Sequence, residues 1–211
     1  SSSAASDVYK RQVEFMSSLL TSERKDIEKI SLLINECKRM GISVMPPDIN
    51  ESFVFFSVVP DKKQIRFGLA AIKNVGIGIT ETIVEERKRN GPFKSLNDFI
   101  SRVKSKNLNK KSLENLAKAG AFDKIIERNK ILENIDLILE RIREKNKDDS
   151  NGQKNLFEGQ KINYQELKLK DVSPARKSDK LKWEKELLGL FVSSHPLEDY
   201  RKILEKKTTP L

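Results

Sequence analysis

Apolar residues at helical spacing recur at two places in this 211-residue chain and restrict the folds open to it. In residues 24–40 and again in residues 129–145, an isoleucine or cysteine returns every three or four positions. The first set is Ile27, Ile30, Ile34 and Cys37, and the second is Ile131, Ile135, Ile138 and Ile142. This period places each set on one face of an amphipathic helix. The sequence therefore predicts a mainly α protein with flanking amphipathic helices.

Two short runs between these helices indicate β structure instead. The runs FVFFSVV (53–59) and QIRFGL (64–69) are rich in β-branched and aromatic residues, and the PDKK between them has turn composition. This arrangement predicts a small β-hairpin. Because two strands alone are only marginally stable, we expect the hairpin to lean on neighbouring helices.

A helix, glycine turn, helix pattern follows in LAAIKNVGIGITETIVEER, residues 69–87. Glycine is needed where φ is positive or where the backbone must approach another molecule closely. We expect Ile77 and Ile79 to fill the gap between the helices. The N–H groups of the turn and of the second helix would then face outward, where they can bind a phosphate oxygen without reading a base. The alternative is a tight helix–helix turn with no ligand. The candidate DNA-binding residues are Lys73, Asn74, Val75, Gly76, Ile77 and Gly78.

A second helix pair is predicted in LNDFISRV (96–103) and KKSLENLAKAG (110–120), joined by a polar loop. From residue 101 to residue 118 there are six basic residues and one acidic residue, Glu114. The basic residues are Arg102, Lys104, Lys106, Lys110, Lys111 and Lys118. We expect Lys104, Lys106, Lys110 and Lys111 to neutralise DNA phosphates, which would make binding non-specific and strongly dependent on salt.

Net charge and residue types narrow the function further. The chain carries 41 Lys and Arg against 31 Asp and Glu, a net charge of +10, which suits a polyanionic partner or merely keeps the protein soluble. One cysteine and one histidine exclude an internal disulfide and a Cys-based zinc site, and no D-x-D pair suggests a two-metal site. We therefore expect no catalytic residue, metal ligand or cofactor in this chain. Without a long apolar run or a signal peptide, we also expect no membrane contact and a cytoplasmic setting.

The chain divides into five predicted regions. Residues 1–12 have no apolar periodicity and are predicted to be a disordered or foreign start. Residues 13–52 form a helical region, residues 53–147 hold the β-hairpin and both helix pairs, residues 148–178 form a polar linker, and residues 179–211 are a helical end. The linker carries Leu156 and Phe157 side by side, which is unusual for a solvated segment.

Several long segments resemble, in order and spacing, the C-family DNA polymerases, the alpha subunits of bacterial replicative polymerase III. The segments are IRFGLAAIKNVGIGITETIVEER, GPFKSLNDFISRV, NKKSLENLAKAGAFDKI, EKELLGLFVSSHPL and, upstream, VEFMSSLLTSERKDIEKISLLINECKRMGISVMPPDINES. The resemblance covers about residues 13–204. It implies that residues 13–52 end a fingers domain, that the two helix pairs are a tandem helix-hairpin-helix gripping primer-template duplex, and that residues 179–211 lead to a missing OB domain.

The resemblance also implies what the chain lacks and what it contacts. The family's palm carboxylates, which hold magnesium for nucleotidyl transfer, are absent from this sequence, so the piece alone should not polymerise DNA. The peptide QKNLF resembles the sliding-clamp-binding motif Q-x-x-L-F, with Gln153, Leu156 and Phe157 as the contacts. Other replicase subunits would bind through the parent chain. The alternatives are a stand-alone helix-hairpin-helix module of a repair protein, a helical scaffold without nucleic acid, and, for Leu156 and Phe157, packing on the helix at 129–145.

Overall fold

The computed structural model describes residues 2–103, 108–150 and 167–193. The α-helices are α1 Ser2–Ser22, α2 Ile27–Arg39, α3 Ile77–Asn90, α4 Leu96–Arg102, α5 Lys110–Lys118, α6 Arg128–Leu132, α7 Ile135–Ser150 and α8 Lys177–Leu188. Leu69–Ala71 form a single 3₁₀ turn, and the strands are β1 Ser43–Met45, β2 Ser57–Val58 and β3 Gln64–Arg66. The predicted class, mainly α with a small β element, is confirmed.

The three strands form one sheet in the order β1-β3-β2. Strands β2 and β3 are antiparallel and form the predicted hairpin, with Val58 opposite Ile65, while β1 lies parallel to β3 on its other side. Strand β2 is shorter than the run 53–59, because the carbonyls of Phe53 and Val54 accept hydrogen bonds from Leu69 and Ala70 instead of from β3. The sequence prediction missed β1, whose three residues carry no pattern of their own.

Helix α1 differs from the disorder predicted for residues 1–12, since its backbone is helical from Ser2. Val13, Met16 and Leu20 follow at helical spacing and are at most 3% exposed. Their burial anchors the helix, and upstream residues of good helix propensity such as Ala4 and Ala5 continue it.

The helix predicted over 129–145 is divided into α6 and α7 by a turn at Asn134. All four isoleucines of its face are nevertheless buried, as predicted. The Asn134 side chain accepts a hydrogen bond from the Lys170 N–H at 2.8 Å and donates to the Lys170 carbonyl at 3.2 Å. A segment that returns from far along the chain therefore attaches where the helix is interrupted.

The hydrophobic core is continuous from the sheet to α8. The Phe99 ring makes edge-to-face contacts with Phe93 and with Phe122, at centroid distances of 5.1 and 5.0 Å respectively. Helix α8 adds Leu187 and Leu188 and ends at Gly189, whose φ of +77° and close approach to the Ile27 carbonyl both require glycine. This common core holds both predicted hairpin units against one scaffold.

Candidate nucleic-acid interface

The first hairpin unit consists of the 3₁₀ turn, the connecting residues 72–76 and helix α3. Lys73, Asn74, Gly76 and Ile77 are exposed, whereas Val75 is buried and donates its N–H to the Ile72 carbonyl at 3.0 Å. The left-handed backbone conformation in this turn belongs to Asn74, with φ of +61°. The structure therefore presents the tip of the turn to solvent, with Val75 as its internal anchor.

The N-terminus of α3 has no side-chain cap. Gly76 occupies the N-cap position, and the first turn contains no acidic residue. Helices α2, α4 and α5, in contrast, are capped by Asp26, Ser95 and Asn109. Because the first N–H groups of a helix have no intrahelical partner and lie at the positive end of its dipole, the start of α3 is suited to an anion.

Gly76 is required neither by its own conformation nor by its surroundings. Its φ of −72° and ψ of 155° suit any residue, so a positive φ is not the reason for glycine at this position. A Cβ atom added to it would meet nothing within 4 Å. The sequence offered two reasons for glycine, a positive φ and close approach by another molecule. The geometry removes the first and is compatible with the second.

The two isoleucines of the turn have different environments. Ile79 is 1% exposed and fills the space behind the turn as expected, but Ile77 is 39% exposed. Ile77 is the first residue of α3 and follows the N-cap Gly76, which is also exposed. The expectation that Ile77 also fills the gap is therefore wrong.

The backbone of Lys73 is fixed on both sides. Its N–H donates to the Leu187 carbonyl at 3.3 Å, and its carbonyl accepts a hydrogen bond from the Asn115 side chain at 2.6 Å. Asn115 lies on α5 and is 1% exposed. The first turn is thus joined to the second hairpin unit and to α8, a link that sequence reasoning missed because the partners are far apart in the chain.

The second hairpin unit, α4 and α5, begins its second helix with a capping box. Asn109 and Ser112 exchange side-chain and backbone hydrogen bonds of 2.9 and 3.1 Å. Lys110 and Lys111 follow and are exposed; Lys110 Nζ lies 2.6 Å from a carboxylate oxygen of Asp136, which is itself largely exposed. Surface pairs of this kind are weak, so a phosphate can compete for Lys110. Lys104 and Lys106 lie outside the described residues.

Arg102 is not available to a phosphate, although it belongs to the basic set predicted from the sequence. Its guanidinium pairs with Glu86 and Asp98, donates to the Gly91 carbonyl at 2.7 Å and lies over the Phe93 ring, 4.5 Å from its centroid. The Asn90 amide and then Arg102 lower the pKa of Glu86. Arg102 therefore fastens the end of α3 to α4.

A buried ion pair holds α8 to the end of α5. Arg128 and Glu184 are 2% and 0% exposed, with 2.8 Å between the guanidinium and the carboxylate. Arg128 also pairs with Asp123 and donates to the Lys118 carbonyl. Burial alone would lower the pKa of Arg128, but the two carboxylates raise it. The second oxygen of Glu184 accepts the N–H groups of residues 192 and 193.

The predicted clamp-binding residues Gln153, Leu156 and Phe157 lie outside the described residues. Among those that are described, no three His, Cys, Asp or Glu side chains come together as a metal site. No helix within the described ranges combines the length and the apolar character that crossing a bilayer needs.

Comparison with known proteins agrees with this geometry. A family model described as a helix-hairpin-helix motif matches residues 41–131, which include both hairpin units. The DNA polymerase III subunit alpha of Thermus aquaticus is 41% identical over 188 residues, 89% of this chain and 15% of that protein. The subunits of Deinococcus radiodurans and Borreliella burgdorferi are 38% and 40% identical, over 92% and 90% of this chain and 14% and 17% of their own lengths.

The chain thus spans only about a sixth of the curated relatives it matches. Within that span the similarity is nearly continuous and includes the two hairpin units together with the helices that hold them. The resemblance seen in the sequence is confirmed: the chain is related, over about nine-tenths of its length, to one segment of the DNA polymerase III alpha subunits.

Proposed function

We propose that this chain is the duplex-binding segment of a bacterial replicative DNA polymerase alpha subunit, and that it holds primer-template DNA by the phosphate backbone. The observation that carries the proposal is the exposed, uncapped start of α3 at Gly76, where neither conformation nor internal packing requires glycine. A phosphate oxygen bound there would approach the backbone too closely for a side chain. No base edge enters this contact, so binding is independent of sequence.

Lysines extend the contact to neighbouring phosphates. Lys73 lies in the turn itself, and Lys110 and Lys111 begin α5, which is joined to the turn through Asn115. Lys104 and Lys106 precede them in the sequence and are proposed as further contacts of the same kind. Each phosphate that is neutralised releases a counterion, so the set determines how steeply affinity falls with salt.

The test is the salt dependence of binding to a labelled duplex. Each lost contact should reduce the slope of log K against log salt by about 0.9, so replacing Lys73, Lys110 and Lys111 by alanine should reduce it by about two to three units. Lys25, Lys38 and Lys62 are exposed lysines outside the hairpin units, and their triple alanine variant removes the same charge. Equal slopes for the two variants would refute the assigned face. No binding at low salt would favour a helical scaffold.

We also propose that QKNLF, residues 153–157, docks the sliding clamp. The support is the pattern itself, in which Gln153 can hydrogen-bond while Leu156 and Phe157 enter an apolar pocket. So small a contact is weak on its own. It gains effective concentration when the hairpin units hold the DNA that the clamp encircles.

Replacing Leu156 and Phe157 by alanine should abolish clamp binding and leave duplex affinity unchanged. Both can be measured on the same protein, with the purified clamp and with the labelled duplex. Retention of clamp binding would support the alternative, in which the two side chains pack on the helices at 129–145.

The whole polymerase is proposed to be a magnesium-dependent DNA-directed DNA polymerase that works in the cytoplasm with other replicase subunits. In this proposal the segment binds DNA and carries no catalytic residue, so the 211-residue chain should bind primer-template without extending it. Primer extension by the isolated chain would contradict the proposal that this segment binds DNA without catalysing the reaction. The similarity over nine-tenths of the chain favours this reading over a stand-alone repair module.

A further inference from the structure

Two exposed phenylalanines with cations beside them form a separate surface at the edge of the first hairpin unit. Phe53 and Phe55 are 44% and 38% exposed. The Arg24 guanidinium lies 5.1 Å from the Phe55 ring centroid, and Arg87 and Lys88 each lie 5.5 Å from that of Phe53. We call these five residues the aromatic–cation patch.

The backbone beneath the patch is firmly held. The carbonyls of Phe53 and Val54 accept hydrogen bonds of 3.0 and 2.9 Å from the first residues of the 3₁₀ turn. Gly68 lies so close underneath that an added Cβ would be 2.4 Å from the Phe55 carbonyl carbon. Phe56 turns inward and contacts Phe67, with ring centroids 4.7 Å apart. Phe53 and Phe55 are therefore displayed on a fixed segment.

The three cations of the patch retain their charge for a ligand. Across the described residues, none of Arg24, Arg87 and Lys88 forms an ion pair. Asp48 and Glu51 act electrostatically on Arg87 without forming an ion pair with it; they pair with Lys124 and, for Glu51, with Arg66.

Arg87 is also fixed in position. Its guanidinium donates to the Ile49 and Ser52 carbonyls at 2.8 and 2.9 Å. Both of these bonds go to neutral oxygens, so they orient the guanidinium without neutralising it.

We propose that the aromatic–cation patch binds unpaired nucleotides of a single-stranded nucleic acid. Each ring has a cation over it and remains partly exposed. The exposed part of a ring can stack on a base of any sequence while the cations hold the linking phosphates, which is the combination that single-strand binding uses. A duplex offers its phosphates but not its base faces, so the two rings set this surface apart from the uncapped start of α3. The proposal goes beyond the duplex contact and does not depend on it, because no residue of the patch belongs to the turn at 73–78.

The test compares oligo(dT) with a blunt duplex, using the full 211-residue chain at fixed salt. The Phe53→Leu, Phe55→Leu variant keeps apolar side chains but loses the aromatic faces, and it should weaken oligo(dT) binding about tenfold per ring. Duplex affinity should not change. The Phe53→Tyr, Phe55→Tyr variant restores aromatic rings and should restore oligo(dT) affinity.

Phe15 provides the matched control. It is 64% exposed on α1, and Arg24, Arg87 and Lys88 lie over the rings of Phe53 and Phe55 instead, so Phe15→Leu should leave both affinities unchanged. The proposal would be overturned if the parent chain does not bind oligo(dT), or if the leucine and tyrosine variants bind it equally. Circular dichroism of each variant establishes that the fold is retained.

Discussion

A carboxylate placed at Gly76 should stabilise the fold and weaken duplex binding at the same time. At φ −72° and ψ 155°, with open space around its Cβ, Gly76→Asp meets no strain. Replacing a glycine in a compatible conformation contributes about 0.4–1 kcal/mol by reducing the entropy of the unfolded chain. The aspartate also caps α3, which adds a few tenths of a kcal/mol over glycine. The total of about 1 kcal/mol corresponds to a melting temperature roughly 2–4 °C higher for a domain of about this size.

The same carboxylate opposes a phosphate at the start of α3. Two unit charges about 4 Å apart repel by about 1 kcal/mol in water and about 4 kcal/mol at an effective dielectric constant of 20. The site is exposed, so we expect about 1–3 kcal/mol, a Kd roughly 5- to 150-fold higher. Fluorescence anisotropy with a labelled duplex measures the Kd, and thermal unfolding measures stability.

Two matched variants separate charge from position. Gly91→Asp adds the same charge at the other end of α3, about 20 Å away, where φ +80° and ψ 179° make any side chain strained. It should lose about 1–3 kcal/mol of stability and keep its duplex affinity. Asn35→Asp, at an exposed position on α2, should change neither property. A Gly76→Asp protein that is more stable and binds duplex as tightly as the parent would refute the contact at α3.

Three further changes test the framework behind the turn. Asn115→Leu leaves the Lys73 carbonyl without its buried donor; urea unfolding should show a loss of about 1–3 kcal/mol, and duplex affinity should fall. Glu184→Ala leaves Arg128 buried with Asp123 alone, and the same assay should show a loss of about 3–5 kcal/mol; a change below about 1 kcal/mol would contradict the buried pair. Burial would raise the pKa of Glu127, but the N–H groups of residues 175 and 129 and Lys180 outweigh it and lower that pKa. The stabilisation by Glu127 is therefore full above its ordinary pKa and is lost as the pH falls through the lowered value. In Glu127→Gln, the free energy of unfolding should consequently change less between about pH 5 and pH 2 than it does in the parent chain.

Seven of the eight side chains that the helical periods place on an inner face are buried and Ile27 is partly buried, but the periods did not predict where the helices end. Ile131, Ile135, Ile138 and Ile142 are all buried, yet the helix is interrupted at Asn134 because a backbone 36 residues further along bonds to its side chain. A period measures local amphipathicity and carries no information about such a partner.

For the candidate site too, local features were predicted from the sequence and long-range contacts were not. The glycine turn was identified from the sequence, because helix-breaking residues between apolar runs are a local signal. Arg102 was counted among the basic residues of this region, but charge alone does not reveal that it is paired with Glu86 and Asp98. The bond from Asn115 to the Lys73 carbonyl joins residues 42 apart and has no sequence signature.

The contacts behind the turn form a closed circuit. Helix α8 holds the turn through the Leu187 carbonyl, the turn is held to α5 by Asn115, and the end of α5 is held to α8 by Arg128 and Glu184. The Asn115 and Arg128 links are buried or partly buried, so the fold itself sets the position of the α3 N-terminus before any ligand binds. A site that is already ordered loses little entropy on binding, and a few phosphate contacts can then be sufficient to hold a duplex. The proposed sequence-independent grip should therefore depend also on residues such as Asn115 and Glu184, which are themselves buried.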